Sequence, residues 1–185
     1  MRQLIEDLLL VARAGDDVEN RDTVDLASLA SEAWRNVATA EATLDTRTDR
    51  TPQADRSRLE RLVENLFRNA IEHGGEDVTV VVGDLENGFY IADDGPGIPL
   101  DDRDRVFESG YSTSPEGTGF GLRIVEQVAN AHGWDVRVTD DTRDAAAATD
   151  AADADAADAG DDRDGRDGAT SERGGARFVF TGVDG

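Results

Sequence analysis

The chain has 185 residues, enough for one domain of ordinary size with a core of its own, and its hydrophobic residues, 38% of the total, fall into periodic runs that favour folding over acidic disorder. Asp and Glu number 41 against 19 basic residues, every one of them arginine, and the formal net charge of -22 argues against binding nucleic acid or anionic membrane through bulk electrostatics. It reads instead as an adaptation to molar salt, where the Debye length falls to about 3 Å, so an extreme halophile is the expected source; with Cys 0 and His 2, disulfides, thiolate metal sites and histidine-rich metal centres are excluded.

In chain order, Leu4, Ile5, Leu8, Leu9 and Ala12 recur at helical spacing within residues 1–14. Such a helix exposes its apolar stripe when alone and needs a partner, either a further helix or a second copy of the chain. Glu6 and Asp7 interrupt the run, so it is not a signal peptide, and no apolar stretch is long enough to span a bilayer. Residues 42–48 make a candidate strand. Next, Leu59, Leu62, Val63, Leu66, Phe67, Ala70 and Ile71 form one apolar helical face and leave Asn65, Asn69 and Glu72 along an adjoining stripe. Two amide side chains one turn apart can then face the same ligand, and an amide carbonyl is a neutral oxygen donor.

Further strands are expected at 78–82 and 89–93, the second running directly into Asp93-Asp94-Gly95-Pro96-Gly97-Ile98-Pro99. That string carries the residues of an ordinary turn. It also offers a carboxylate, and glycines at Gly95 and Gly97 that permit close backbone approach. The string Gly117-Thr118-Gly119-Phe120-Gly121-Leu122 leads into Ile124, Val125 and Val128, a helix ending near His132-Gly133. Glycines ahead of a helix bring unpaired N–H groups towards bound phosphate, and the helix dipole favours the negative charge. Neither string has P-loop or dinucleotide-binding spacing. A strand at 134–139 and another at 176–181 enclose a tract of Ala, Asp, Gly and Arg without apolar period, which reads as a disordered insertion at 140–175. Alternating helices and strands imply an α/β two-layer sandwich, one mixed sheet covered on one face by helices.

The helix containing Asn65 and Asn69, the string at 93–99 and the string at 117–122 resemble, in order and spacing, the N, G1 and G2 boxes of the GHKL ATPase superfamily, and most closely its sensor histidine kinases. The resemblance implies a Bergerat-type ATP-binding fold over residues 18–139 plus 176–185, with ATP and Mg2+ as ligands. Asn69 occupies the place of the magnesium ligand, and Asp93 that of the adenine reader. Asn65, His73, Gly95, Gly97, Gly117, Thr118, Gly119, Gly121 and Leu122 complete the implied nucleotide site. Residues 105–108 stand for the F box and 108–116, with Thr113, for the ATP lid. Residues 24–34 resemble the domain's opening helix, and 1–14 the second helix of a dimerisation hairpin.

The same resemblance implies phosphoryl transfer to a histidine and onward to a response regulator. The acceptor histidine is expected outside this chain, on a dimerisation helix in cis or in a partner, because neither His73 nor His132 sits in an acceptor motif. A homodimer through the N-terminal helix and a cytoplasmic location, with a parent that can be membrane-attached, follow as expectations. Gyrase-type relatives carry a glutamate, acting as general base on water, where this chain has Asn65, which cannot take a proton. A non-catalytic nucleotide-binding regulator and a slow ATPase are the alternatives. Two departures stand out: Glu72 replaces a lysine that often contacts phosphates, and the lid lacks a cation, leaving Arg68 or Arg123 as substitutes.

Overall fold

The computed structural model describes residues 18, 20–37, 41–103, 105–107, 121–141 and 174–184. The expected helix at 1–14, the tract at 142–173 and the lid residues 108–116 lie outside the described residues, as do Thr113, Gly117, Thr118 and Gly119.

Helix α1 (Leu26–Asn36) starts where the Asp25 carboxylate accepts a hydrogen bond from the Ser28 N–H at 2.7 Å, and it buries Leu26, Leu29, Ala30 and Ala33. Helix α2 (Arg56–Gly74) is capped by Asp55, which accepts from Ser57 N at 3.0 Å and Arg58 N at 3.1 Å. Burial alone would raise the Asp55 pKa. The Ser57 hydroxyl, the two backbone N–H groups and the Arg58 charge outweigh it and hold the carboxyl below its ordinary value. Helix α3 (Gly121–His132) ends in a Schellman motif, with Gly133 N bonding Asn130 O at 3.0 Å and Trp134 N bonding Ala129 O at 2.9 Å. Gly133 has φ 77°, the left-handed conformation that such a stop demands and glycine takes without steric cost.

The strands are β1 (Asp22–Thr23), β2 (Thr43–Arg47), β3 (Gln53–Ala54), β4 (Thr79–Leu85), β5 (Gly88–Asp93), β6 (Asp135–Asp141) and β7 (Gly175–Thr181). The 5-stranded sheet has the order β2-β4-β5-β7-β6, with β2 parallel to β4 and the remaining pairs antiparallel. The expected mixed sheet is therefore present. Pairing of Asp141 with Gly175 carries β6 two residues past the expected end at 139. The short β1–β3 ladder was not anticipated, since two residues per strand give no period to read. It sets the starts of α1 and α2 side by side.

Strand alternation explains why the helices cover one face. Val80, Val82, Phe89, Ile91, Phe178 and Phe180 join the core with Leu29, Leu62, Leu66, Phe67, Ile124 and Val128 from the helices. Phe89 stacks on Phe180 at 4.7 Å, and Trp34 meets Phe67 edge-on at 5.1 Å. On the opposite face, Val81, Tyr90, Arg177 and Val179 are only partly buried, and the Arg177 guanidinium lies 3.9 Å from the Tyr90 ring centre. Asp93, in phase with Phe89 and Ile91, falls on the helix side of the sheet, at the end where β5 leaves it.

Candidate functional site

Asn65 and Asn69 lie one turn apart on α2, at the edge of its buried face; Asn65 is 8% exposed and Asn69 is half-buried. Asn65 Nδ2 donates to the Arg61 carbonyl at 2.8 Å, which fixes the amide plane and turns Oδ1 across the seam between α2 and α3. A β-carbon on Gly121 would stand 3.4 Å from Asn65 Oδ1 and 3.6 Å from Asn69 Oδ1. The Asn65 amide oxygen and the amide end of Asn69, whose Nδ2 would stand 3.9 Å away, thus lie against the first residue of α3. At that residue a helix has backbone N–H groups without intrahelical partners, and the absent side chain leaves the approach open.

Glu64, next to Asn65 in sequence, points elsewhere. Its carboxylate accepts from Asn36 Nδ2 of α1 at 2.9 Å, on the far side of α2. His73 is exposed in the last turn of α2, and Leu122 is half-buried against the core. Arg68 and Arg123 are half-buried and Glu72 is exposed.

Asp93 and Asp94 divide two tasks between identical side chains. Asp94 closes the sheet end: its Oδ1 accepts from Thr79 N at 2.7 Å, and its own N–H donates to Thr79 O at 3.2 Å. Asp93 Oδ1 accepts from Gly95 N at 3.0 Å and faces Ala176 N of β7 at 3.5 Å. A methyl on Gly95 would lie 2.7 Å from Gly74 Cα and 2.9 Å from Asp93 Oδ1, so the turn after β5 packs backbone to backbone on the end of α2. Gly97, with φ 75°, places its Cα against the Gly174 carbonyl. The contacts made by Gly74, Asp94, Gly174 and Ala176 are long-range and carry no local pattern in the sequence.

Among the described residues no group of three or more His, Cys, Asp and Glu side chains could hold a metal ion, and no helix is long and apolar enough to cross a membrane.

Helices laid on one side of a mixed sheet, with an asparagine-bearing helix facing a glycine that opens the next, define the ATP-binding catalytic domain of the GHKL class. Residues 54–182 match the family described as histidine kinase-, DNA gyrase B-, and HSP90-like ATPase, and the chain belongs to it. The signal transduction histidine-protein kinase AfsQ2 of Streptomyces coelicolor is 34% identical over 151 residues, which cover 74% of this chain and 27% of AfsQ2. The mycobacterial sensor histidine kinase MprB superposes with a TM-score of 0.64 at 25% identity, over 88% of this chain and 97% of that one. Full-length ShkA, solved in complex with AMPPNP, gives a TM-score of 0.65 at 25% identity over 98% of this chain and 35% of that one. The chain thus spans about a quarter of the length of AfsQ2.

Proposed function

We propose that this chain is the catalytic domain of a two-component sensor histidine kinase, binding Mg-ATP and passing its γ-phosphoryl group to a histidine outside the chain. The observation that carries the reading is the shared aim of Asn65 and Asn69 at Gly121. In this reading the first-turn N–H groups of α3 receive phosphate oxygens, and Asp93, held by Gly95 N, accepts from the adenine amino group. Gly117, Thr118, Gly119 and Thr113 are assigned to the phosphate side on the resemblance alone.

The donor set fits Mg2+. Asn69 offers a neutral amide oxygen beside the start of α3, and the ion would be completed by phosphate oxygens and water, neutralising part of the triphosphate charge. In the transfer, an acceptor imidazole nitrogen attacks the γ-phosphorus, the bond to the β,γ-bridging oxygen breaks, and ADP leaves. Hydrolysis is disfavoured, since Asn65 cannot take a proton from water and the Glu64 carboxylate is engaged by Asn36.

Residues 1–14 are proposed as a remnant of the dimerisation hairpin, giving contact to an acceptor helix in cis or in a second copy. Residues 142–173, between the paired ends of β6 and β7, are proposed as a solvated insertion. A response regulator would take the phosphoryl group onward, on the cytoplasmic side.

The test is to mix the purified chain in molar KCl with a dimerisation hairpin carrying an acceptor histidine and γ-labelled ATP. Acid-labile phosphate should appear on the hairpin and not on the chain alone. A folded, ATP-binding chain that labels nothing would reject the kinase reading in favour of a nucleotide-responsive regulator, and label on His73 or His132 would contradict the assignment of an external acceptor.

A further inference from the structure

His132 is a titratable side chain that the proposed chemistry does not use, and it is 2% exposed. Its Nδ1 lies 2.7 Å from the Val128 carbonyl, one turn back on α3, and its Nε2 receives the backbone N–H of Asp55 at 3.0 Å. A carbonyl can only accept and a backbone N–H can only donate, so the ring must be neutral with its proton on Nδ1. The ring stacks on Trp134 at 4.5 Å, which blocks rotation. Asp55 caps the start of α2.

The two helices run antiparallel, and each end of their seam is tied. At one end His132 of α3 bonds the cap of α2; at the other, Gly121 of α3 faces Asn65 and Asn69 of α2. Shift along this seam would carry both amide oxygens away from the opening of α3. We infer that His132 is a positioning residue for the nucleotide site: as a neutral clip between the end of α3 and the cap of α2, it sets the register in which Asn65 and Asn69 meet Gly121. The inference rests on the nucleotide-binding reading above and adds a regulating proton to it.

Protonated at Nε2, the ring has no acceptor for the Asp55 N–H and sets a donor against a donor. The groups around it are the Asp55 carboxylate and Arg58 guanidinium from the first turn of α2, and Arg21 ahead of β1. Burial, together with the Arg21 and Arg58 charges, outweighs the Val128 carbonyl and the Asp55 carboxylate, and holds the pKa below the ordinary 6.5. ATP affinity should therefore be constant above pH 6.5 as far as this group is concerned, and fall at lower pH as the ring takes its proton.

The experiment titrates Mg-ATP by calorimetry into the full chain, into His132→Gln and into His132→Leu, from pH 8 downward, where circular dichroism shows each protein folded. Glutamine keeps an acceptor for Asp55 N without a titration; leucine removes the acceptor. His132→Leu should bind about threefold to tenfold more weakly than wild type at pH 8, with His132→Gln between the two. As pH falls, wild type should lose affinity relative to His132→Gln, a comparison in which protonation of the nucleotide and of groups common to both proteins cancels. Parallel profiles for those two would overturn the inference, even if His132→Leu does not fold, and wild-type affinity in a folded His132→Leu would do the same. A folded wild type that binds no Mg-ATP at pH 8 would overturn the nucleotide reading itself, and this inference with it.

Discussion

Gly95 and Gly74 stand back to back, so close that a methyl on Gly95 would lie 2.7 Å from the Gly74 Cα. The turn after β5 therefore rests on the last residue of α2 without side chains between them. Because Gly95 N also holds Asp93 Oδ1, the contact sets where that carboxylate can be.

Gly95→Ala should consequently disturb stability and binding together. Backbone, rather than a side-chain tip, meets the new methyl, so the turn must move, at a cost of about 1–3 kcal/mol. Mg-ATP affinity should drop with it, because the methyl would also lie 2.9 Å from Asp93 Oδ1. Urea unfolding and nucleotide titration of the same variant check this; unchanged values in both would refute the contact.

Asn69→Asp and Asp93→Ala should each weaken Mg-ATP binding by about tenfold to hundredfold, the worth of a hydrogen bond involving a charged group, and leave the fold in place. The two losses have different origins. Asn69→Asp puts a negative charge beside the phosphates, whereas Asp93→Ala removes the acceptor for the base. A comparison of ATP with inorganic triphosphate separates them: Asp93→Ala should leave triphosphate binding nearly unchanged, while Asn69→Asp should weaken both. Near-wild-type ATP affinity in either folded variant would reject the assignment.

Fold stability should decline on the acid side in two distinct windows. The His132 pKa is lowered by folding, so the unfolded chain binds this proton first; its contribution is complete above pH 6.5 and is lost as pH falls through 6.5 towards the folded value. Asp55 is a carboxyl with a lowered pKa, and its contribution is complete above 3.8 and is lost as pH falls towards its folded value. His132→Gln should abolish the upper window alone. Asp55→Ala should cost about 1 kcal/mol at neutral pH, the worth of an N-cap, and keep the upper window because the Asp55 N–H remains, with its lower edge moved to more acid pH because the carboxylate that favours the charged His132 ring is gone. Thermal unfolding across pH for the three proteins is the measurement.

ATP affinity should rise with KCl over the range in which the domain is already folded. Glu72 stands exposed on α2 just past Asn69, residues 108–116 contain no cation, and the net charge of -22 opposes an anionic ligand. Cations at high concentration would screen that charge, the reverse of the usual weakening of a charge-driven complex by salt. Calorimetry in a KCl series would decide, and a flat or falling affinity would point to Arg68 or Arg123 as the phosphate partner.

Much of this protein follows from the sequence by itself, because the informative signals are local. Apolar residues at helical spacing placed Asn65 and Asn69 on one stripe of α2, and a short apolar run predicted β5 running into Asp93; the structure has both. His132-Gly133 marked the end of α3, where the Schellman motif is found. The order of the three strings sufficed to recognise the family. What only the tertiary structure decided is which distant groups each residue meets. Asp93 faces Ala176 across 83 positions, Glu64 is drawn to Asn36 and away from the site, and His132 bonds the cap of a helix 77 residues earlier. Asp93 and Asp94 are the same residue type in adjacent positions, yet one staples the sheet end and the other turns towards the helices. Such choices come from sheet register and helix packing, which bring together residues far apart in sequence, and periodicity within a dozen residues contains no record of them.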